Sequence, residues 1–157
     1  MSVKARSMKM RDIEKCAAIA CDSEIGAKYG FTPTMIETRL QGAMNGGAIL
    51  IVVETDTEIS GFAWVDPRGA FGSSPYLKLI VVAPGTRSRG VGAILLGAFE
   101  KETASVGTTY TLLVSDFNSR AIKFYERHGY ERIGELKDFA VEGITEILMA
   151  KRKNKSA

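Results

Sequence analysis

Apolar positions along this chain fall into two periods, one suited to strands and one to helices. Val3 to Met8 alternates as a short first strand does. Ile13, Cys16, Ala17, Ala20 and Cys21 then recur at the spacing of one helix face. Asp22 to Phe31 mixes both classes and holds Gly26 and Gly30, so it predicts a loop or a frayed helix end. Thr32-Pro33 supplies an N-cap with proline at the first helical position, and Thr34 with Glu37 forms a competing capping box. Ile36, Leu40, Ala43 and Met44 give that helix its apolar face, and Gly46-Gly47 ends it.

Three strand signals follow. Ala48 to Glu54 and Ile59 to Val65 flank the polar Asp56-Thr57-Glu58 turn and predict a hairpin. Pro67 to Pro75 reads as a Gly/Ser/Pro loop. Tyr76 to Val82 is a nearly continuous apolar run, as expected of a strand covered on both faces, and Ala83-Pro84-Gly85-Thr86 breaks it. Val91, Ile94, Leu95, Ala98 and Phe99 mark an amphipathic helix. Thr109 to Ser115 predicts a buried strand. Asn118 or Ser119 caps a further helix, in which Ala121, Phe124, Tyr125 and His128 share a face and Gly129 marks the end. Glu131 to Phe139 and Thr145 to Lys151 close the chain as strands.

The strand–helix–strand unit from Tyr76 to Ser115 favours parallel pairing, and the hairpins beside it are antiparallel. The expected fold class is therefore α/β, with a mixed central sheet of about seven strands and helices on both faces. One domain is expected over residues 1–150, followed by a basic C-terminal tail, 151–157.

Composition narrows the setting. Of 157 residues, 45% are hydrophobic and 25% charged, the balance of a globular chain. No apolar run approaches the length of a membrane span, and the N-terminus lacks the apolar core of a secretory signal. Cys16 and Cys21 sit on a helical pattern and read as small core residues in a reducing, cytoplasmic compartment. The net charge is +3, but Lys151, Arg152, Lys153 and Lys155 lie in the tail and leave the remainder near neutral. No nucleic-acid partner is expected on that balance, and the tail reads as a solvated end.

The candidate chemistry lies in Pro84-Gly85-Thr86-Arg87-Ser88-Arg89-Gly90-Val91-Gly92-Ala93, which joins a buried strand to an amphipathic helix. Bare glycine backbone, a helix N-terminus and two arginines suit a phosphate or pyrophosphate. Gly85 and Gly90 have Walker A spacing, but Val91-Gly92 stands where Lys-[Ser/Thr] is required. Gly90-Val91-Gly92-Ala93-Ile94-Leu95 lacks the third small residue of a dinucleotide fingerprint. A tight turn with close packing is the plain alternative.

Arg87-x-x-Gly90-x-Gly92 resembles the acyl-CoA pyrophosphate loop of the GNAT superfamily of N-acyltransferases. The segment from Asn118 through Ala121 and Tyr125 to Gly129-Tyr130 is similar to a second motif of that family, and the element order follows along almost the whole chain. The resemblance implies direct transfer of an acetyl group from acetyl-CoA to a primary amine within a ternary complex. It assigns Arg87, Ser88, Arg89, Gly90, Val91 and Gly92 to the diphosphate and the backbone of Ile80, Val81 and Val82 to the pantetheine arm. Asn118 is implied as a cofactor contact and Tyr125 as the general acid for the leaving thiolate; a capping Asn and a core aromatic are the plainer readings. No metal is expected.

Many relatives carry a carboxylate two residues before the position of Ile80, where this chain has Lys78. The general base is left open among Glu24, Glu54 and Asp66 acting through water, and His128 reads as structural. The Asp22–Phe31 loop, the Arg68–Pro75 loop and the Asp138–Gly143 turn are expected to shape the acceptor site. The expected partner is a small-molecule or peptide amine, with a homodimer open. The alternative to an enzyme is a non-catalytic acyl-CoA sensor, which Lys78 alone supports.

Overall fold

The computed structural model describes residues 2–154, with the side chains of Arg87, Ser88 and Arg89 outside that description. The chain runs β1 (Val3–Ser7), α1 (Ile13–Cys21), α2 (Glu24–Tyr29), α3 (Pro33–Asn45), β2 (Ile49–Thr55), β3 (Glu58–Ala70) and β4 (Ser74–Val82). It continues with α4 (Val91–Glu102), β5 (Thr109–Ser115), α5 (Ser119–Arg127), β6 (Glu131–Leu136) and β7 (Glu146–Arg152). The strands form one seven-stranded sheet in the order β1-β2-β3-β4-β5-β7-β6. Its pairs are antiparallel except β4 with β5, which is parallel across the α4 crossover.

The two-residue period of the strands divides the core. Leu50, Val52, Phe62 and Trp64 point to one face and meet Ile13, Cys16 and Ala20 of α1 and Ile36 and Leu40 of α3. Ile51, Val53, Ala63 and Val65 point to the other face and meet Val91, Leu95 and Phe99 of α4 and Ile122 and Tyr125 of α5. An α/β sandwich of three layers results, as the patterning predicts.

Three segments differ from expectation. The stretch after Asp22 is a helix, α2, because Ser23 caps it by accepting a hydrogen bond from the Gly26 amide at 3.0 Å. The Pro67–Pro75 loop is shorter than its composition implies. β3 extends to Ala70 and β4 begins at Ser74, with Ala70 paired to Ser74. Pro67 is tolerated because the register shifts between Asp66 and Ala70, so no ladder donor is required of it. β6 ends at Leu136, short of Phe139.

The basic end is also not a free tail over its described part. β7 runs through Arg152, and the Lys151 ammonium lies 2.8 Å from Glu100. The Lys153 ammonium donates to the carbonyl oxygens of Thr103 at 2.5 Å, Ala104 at 3.2 Å and Val106. A cation there meets the negative end of α4. Lys155 lies outside the described residues.

Candidate active site

The parallel pair of the sheet is brief. Among the described residues, β4 and β5 are joined only at Tyr76–Thr111 and Leu77–Leu112. The Thr111 hydroxyl donates to the Pro75 carbonyl at 2.7 Å and fixes the start of this contact. One residue later β4 carries a bulge: Trp64 pairs with Leu79 and Val65 with Leu77, which leaves Lys78 as the extra residue. A bulge bends its strand and interrupts pairing. Beyond it the two strands separate, and Lys78 to Val82 has no ladder partner on the β5 side among the described residues. The Lys78 ammonium lies 4.4 Å from the centre of the Trp64 ring.

Two clefts flank this divergence. The first, of about 510 Å³, runs between β4, α4 and α5, and Ile80, Val81, Val82, Gly90, Gly92 and Asn118 line it. The second, of about 400 Å³, is bounded by α2, α3, β4, β5 and the start of β7. Ile80, Asn118 and Tyr125 border both, so Tyr125 stands at the junction.

Gly90 immediately precedes α4 with φ +75°, a left-handed conformation that disfavours any side chain. A Cβ at Gly92 would lie 3.4 Å from the Phe124 ring, so this glycine also sets the approach of α4 to α5. The amides that open α4 have no intrahelical acceptor, as at any helix N-terminus, and such amides suit an anion. Val91 itself is fully buried in the core and contributes backbone only. The side chains of Arg87, Ser88 and Arg89 lie outside the described residues.

Tyr125 is 5% exposed, and burial pushes its phenol well above the ordinary value. Asn118 caps α5 by accepting from the Ala121 amide at 3.1 Å, which leaves its NH₂ group available. His128 places Nδ1 2.8 Å from the Phe124 carbonyl and packs on the Phe124 ring.

Of the carboxylates considered from sequence, Glu54 is bound by Arg6 at 2.6 Å, and Glu24 borders the first cleft. Neither Glu54 nor Asp66 borders either cleft. Sequence reasoning missed Glu146. This residue opens β7 opposite Ser115 of β5, borders the second cleft and is 6% exposed. The Tyr29 hydroxyl donates to Glu146 Oε1 and lies 2.6 Å from Ser115 Oγ. Burial first, and then the Glu146 carboxylate, push the Tyr29 phenol up to about 12. Tyr76 is likewise raised to about 12, chiefly by burial. The available signal was an acid in an alternating strand, but only the sheet order shows that β7 is an interior strand.

Of the segments expected to shape the acceptor site, Tyr29 and Phe31 of the first and Phe139 to Val141 of the third border the second cleft, whereas residues 68–75 do not. Among the described residues no group of three His, Cys, Asp or Glu is placed to hold a metal.

Comparison with known proteins shows the family and the fold. The family described as Acetyltransferase (GNAT) domain matches residues 19–153. A Bacillus subtilis (strain 168) protein named uncharacterized N-acetyltransferase YjcF is 37% identical over 75 residues. That match spans about half of each protein, 48% of this chain and 51% of the relative. A GNAT-family acetyltransferase from Bacillus cereus ATCC 10987 superposes with a TM-score of 0.80 at 22% identity, covering 99% of this chain and 100% of that one. A ribosomal-protein-alanine N-acetyltransferase from Brucella melitensis does so with a TM-score of 0.80 at 22% identity, covering 96% and 99%.

Proposed function

Because the chain belongs to the GNAT acetyltransferase family, we propose that it transfers an acetyl group from acetyl-CoA directly to a primary amine within a ternary complex. The observation that carries this reading is the divergence of β4 from β5, with one cleft on each side and Tyr125 between them. The first cleft suits the donor. Its wall is an unpaired strand edge, Ile80 to Val82, to which an amide-rich pantetheine arm adds as a further strand. The open backbone from Gly90 to Gly92 takes the diphosphate, and the motif residues Arg87, Ser88 and Arg89 precede it in sequence. The Asn118 amide adds a donor at the junction. The second cleft, which shares Ile80, Asn118 and Tyr125 with the first, takes the amine.

Tyr125 protonates the departing sulfur in this scheme. A phenol raised by burial keeps its proton at every working pH, which suits an acid and not a base. Cytoplasmic placement belongs to the same proposal. Cys16 and Cys21 are free thiols, and among the described residues no helix is long and apolar enough to cross a membrane. A non-catalytic sensor is the second reading, favoured by Lys78 at the bulge. Calorimetry with acetyl-CoA, followed by thiol release over a panel of amines, separates the two. Binding with turnover supports the enzyme, binding without turnover supports the sensor, and absence of binding removes both.

A further inference from the structure

The proposed transfer needs a group that takes a proton from the acceptor ammonium, and the β4 bulge offers a lysine. We propose that Glu146 is that proton acceptor, with Tyr29 and Ser115 as its positioning residues; this rests on the acetyl-transfer reading above. Three elements distant in sequence bring the cluster together: α2 supplies Tyr29, β5 supplies Ser115 and β7 supplies Glu146. The carboxylate is held by hydroxyls. Tyr29 donates to Oε1, and Ser115 Oγ lies 3.1 Å from Oε1 and 3.3 Å from Oε2.

Among the described residues no Lys, Arg or His pairs with Glu146. A buried carboxylate without a cation is costly, and hydroxyl donors offset only part of that cost. A neutral glutamine would tie α2 to β7 through the same bonds without burying a charge. The charge has a use if the guest of the second cleft arrives as an ammonium ion. Oε2 carries only the long Ser115 contact and has acceptor capacity left for it.

The division of labour follows from the clefts. Glu146 borders the second cleft alone, whereas Tyr125 borders both. The base therefore stands on the amine side and the acid at the junction with the thioester side. Glu146 takes one proton from R–NH₃⁺, so an N–H bond breaks and an O–H bond forms. The freed nitrogen lone pair forms the C–N bond at the acetyl carbon, and the C–S bond breaks. Tyr125 gives its proton to sulfur and regains one from the second N–H through water. Glu146 returns its proton to solvent. The sum is one amide, one thiol and one released proton.

Among the described residues, the other titratable or charged groups of the cluster are Tyr29 of α2, Arg39 of α3, Tyr76 and Lys78 of β4, Asp116 beside Ser115, and Asp66, which acts on Tyr76 together with Glu146 but borders neither cleft. Tyr29 and Tyr76 stay protonated, since each is raised to about 12. Arg39 and Lys78 are the basic side chains of the second cleft. Asp116 is the group to separate from Glu146, and Asp116→Asn is the control.

The test measures kcat/KM against pH for the wild type, Glu146→Gln, Tyr29→Phe and Asp116→Asn, with acetyl-CoA affinity by calorimetry. Glu146→Gln is expected to lower kcat/KM by about 10²- to 10⁴-fold, flatten the acidic limb and leave acetyl-CoA affinity unchanged. Tyr29→Phe preserves packing but deletes a bond that favours the charged carboxylate, so it should move the acidic limb to higher pH. A purely structural tie would not move that limb. Asp116→Asn should leave it in place. Wild-type kcat/KM and an intact limb in Glu146→Gln overturn the proposal while acetyl transfer stands. Should Glu146→Gln not fold, an unmoved limb in Tyr29→Phe, or its displacement in Asp116→Asn, overturns it instead. A wild type that binds acetyl-CoA but acylates no amine overturns it together with the enzyme reading. Failure to bind acetyl-CoA overturns the proposed function itself, and the assignment of Glu146 with it.

Discussion

Tyr125 illustrates how one side chain joins packing to chemistry. Its ring packs edge-on against Phe124 and Tyr130, with centroids 5.4 and 5.9 Å away, and the residue borders both clefts. Tyr125→Phe keeps the packing and deletes the proton. It should lower kcat by about tenfold to a thousandfold with acetyl-CoA affinity intact, because in the proposed mechanism the hydroxyl is needed only as charge develops on sulfur. Equal kcat, with chemistry rate-limiting, would return Tyr125 to a core aromatic. A second residue-scale prediction concerns charge. Lys78 and Arg39 border the same cleft as Glu146, so amines that also carry a carboxylate should be preferred to neutral amines of equal length. Lys78 is exposed, and exposed ion pairs contribute about 0.2–1 kcal/mol, so Lys78→Ala should reduce that preference by no more than about fivefold in kcat/KM. An unchanged ratio of acidic to neutral amines would remove Lys78 from acceptor selection.

At the scale of elements, both ends of α4 depend on particular groups. At its start, Gly90 has φ +75° and no heavy atom within 4 Å of the position of a Cβ. Gly90→Ala should therefore fold, with a penalty of roughly 1–2 kcal/mol for the left-handed backbone. Gly90→Val places bulk where the diphosphate is proposed to approach and should weaken acetyl-CoA binding at least tenfold, about 1.4 kcal/mol. Normal affinity in a folded Gly90→Val protein would exclude that approach. At the far end, Lys153 donates to the Thr103, Ala104 and Val106 carbonyls just past the helix. Lys153→Met should lower stability by about 1 kcal/mol without altering acetyl-CoA affinity, as thermal melts and calorimetry would report together. A loss of affinity would mean that the helix end is coupled to its start.

Across the whole molecule, Arg6 binds the first hairpin to the first helix. Its guanidinium lies 2.7 Å from Asp12, before α1, and 2.6 Å from Glu54 on β2. The bond from Arg6 holds the Asp12 carboxyl below the usual range, against the opposing effect of burial. A carboxyl that releases its proton more readily when folded stabilises the fold above its unfolded value, near pH 4, and loses that contribution as pH falls through the folded value. Asp12→Asn should therefore cost about 2 kcal/mol at pH 7. This is less than the ~3–5 kcal/mol of a deeply buried pair because Arg6 keeps 17% exposure. The gap to wild type should close as pH drops below about 4, measured by urea unfolding over a pH series. A gap independent of pH would assign the loss to packing.

Local pattern by itself determined most of the scaffold. The alternation in β2 and β3 separates Leu50 and Val52 from Ile51 and Val53, and the structure sends them to opposite layers. The helical period of Val91, Leu95 and Phe99 marks the face that α4 buries. Both are properties of neighbouring residues, which elementary backbone geometry fixes. The glycine motif and Asn118 were legible for the same reason, being contiguous segments beside a strand end. What only the tertiary structure decided is where pairing stops and which distant residues meet. No local rule places a bulge at Lys78 or ends the β4–β5 ladder at Leu77, since both depend on the partner strands. Tyr29 and Glu146 are 117 residues apart and come together once β7 inserts between β5 and β6. Periodicity tells which side of a strand is buried, but not which strand is interior. For that reason the carboxylate of the second cleft was hidden in the sequence while the loop of the first was not.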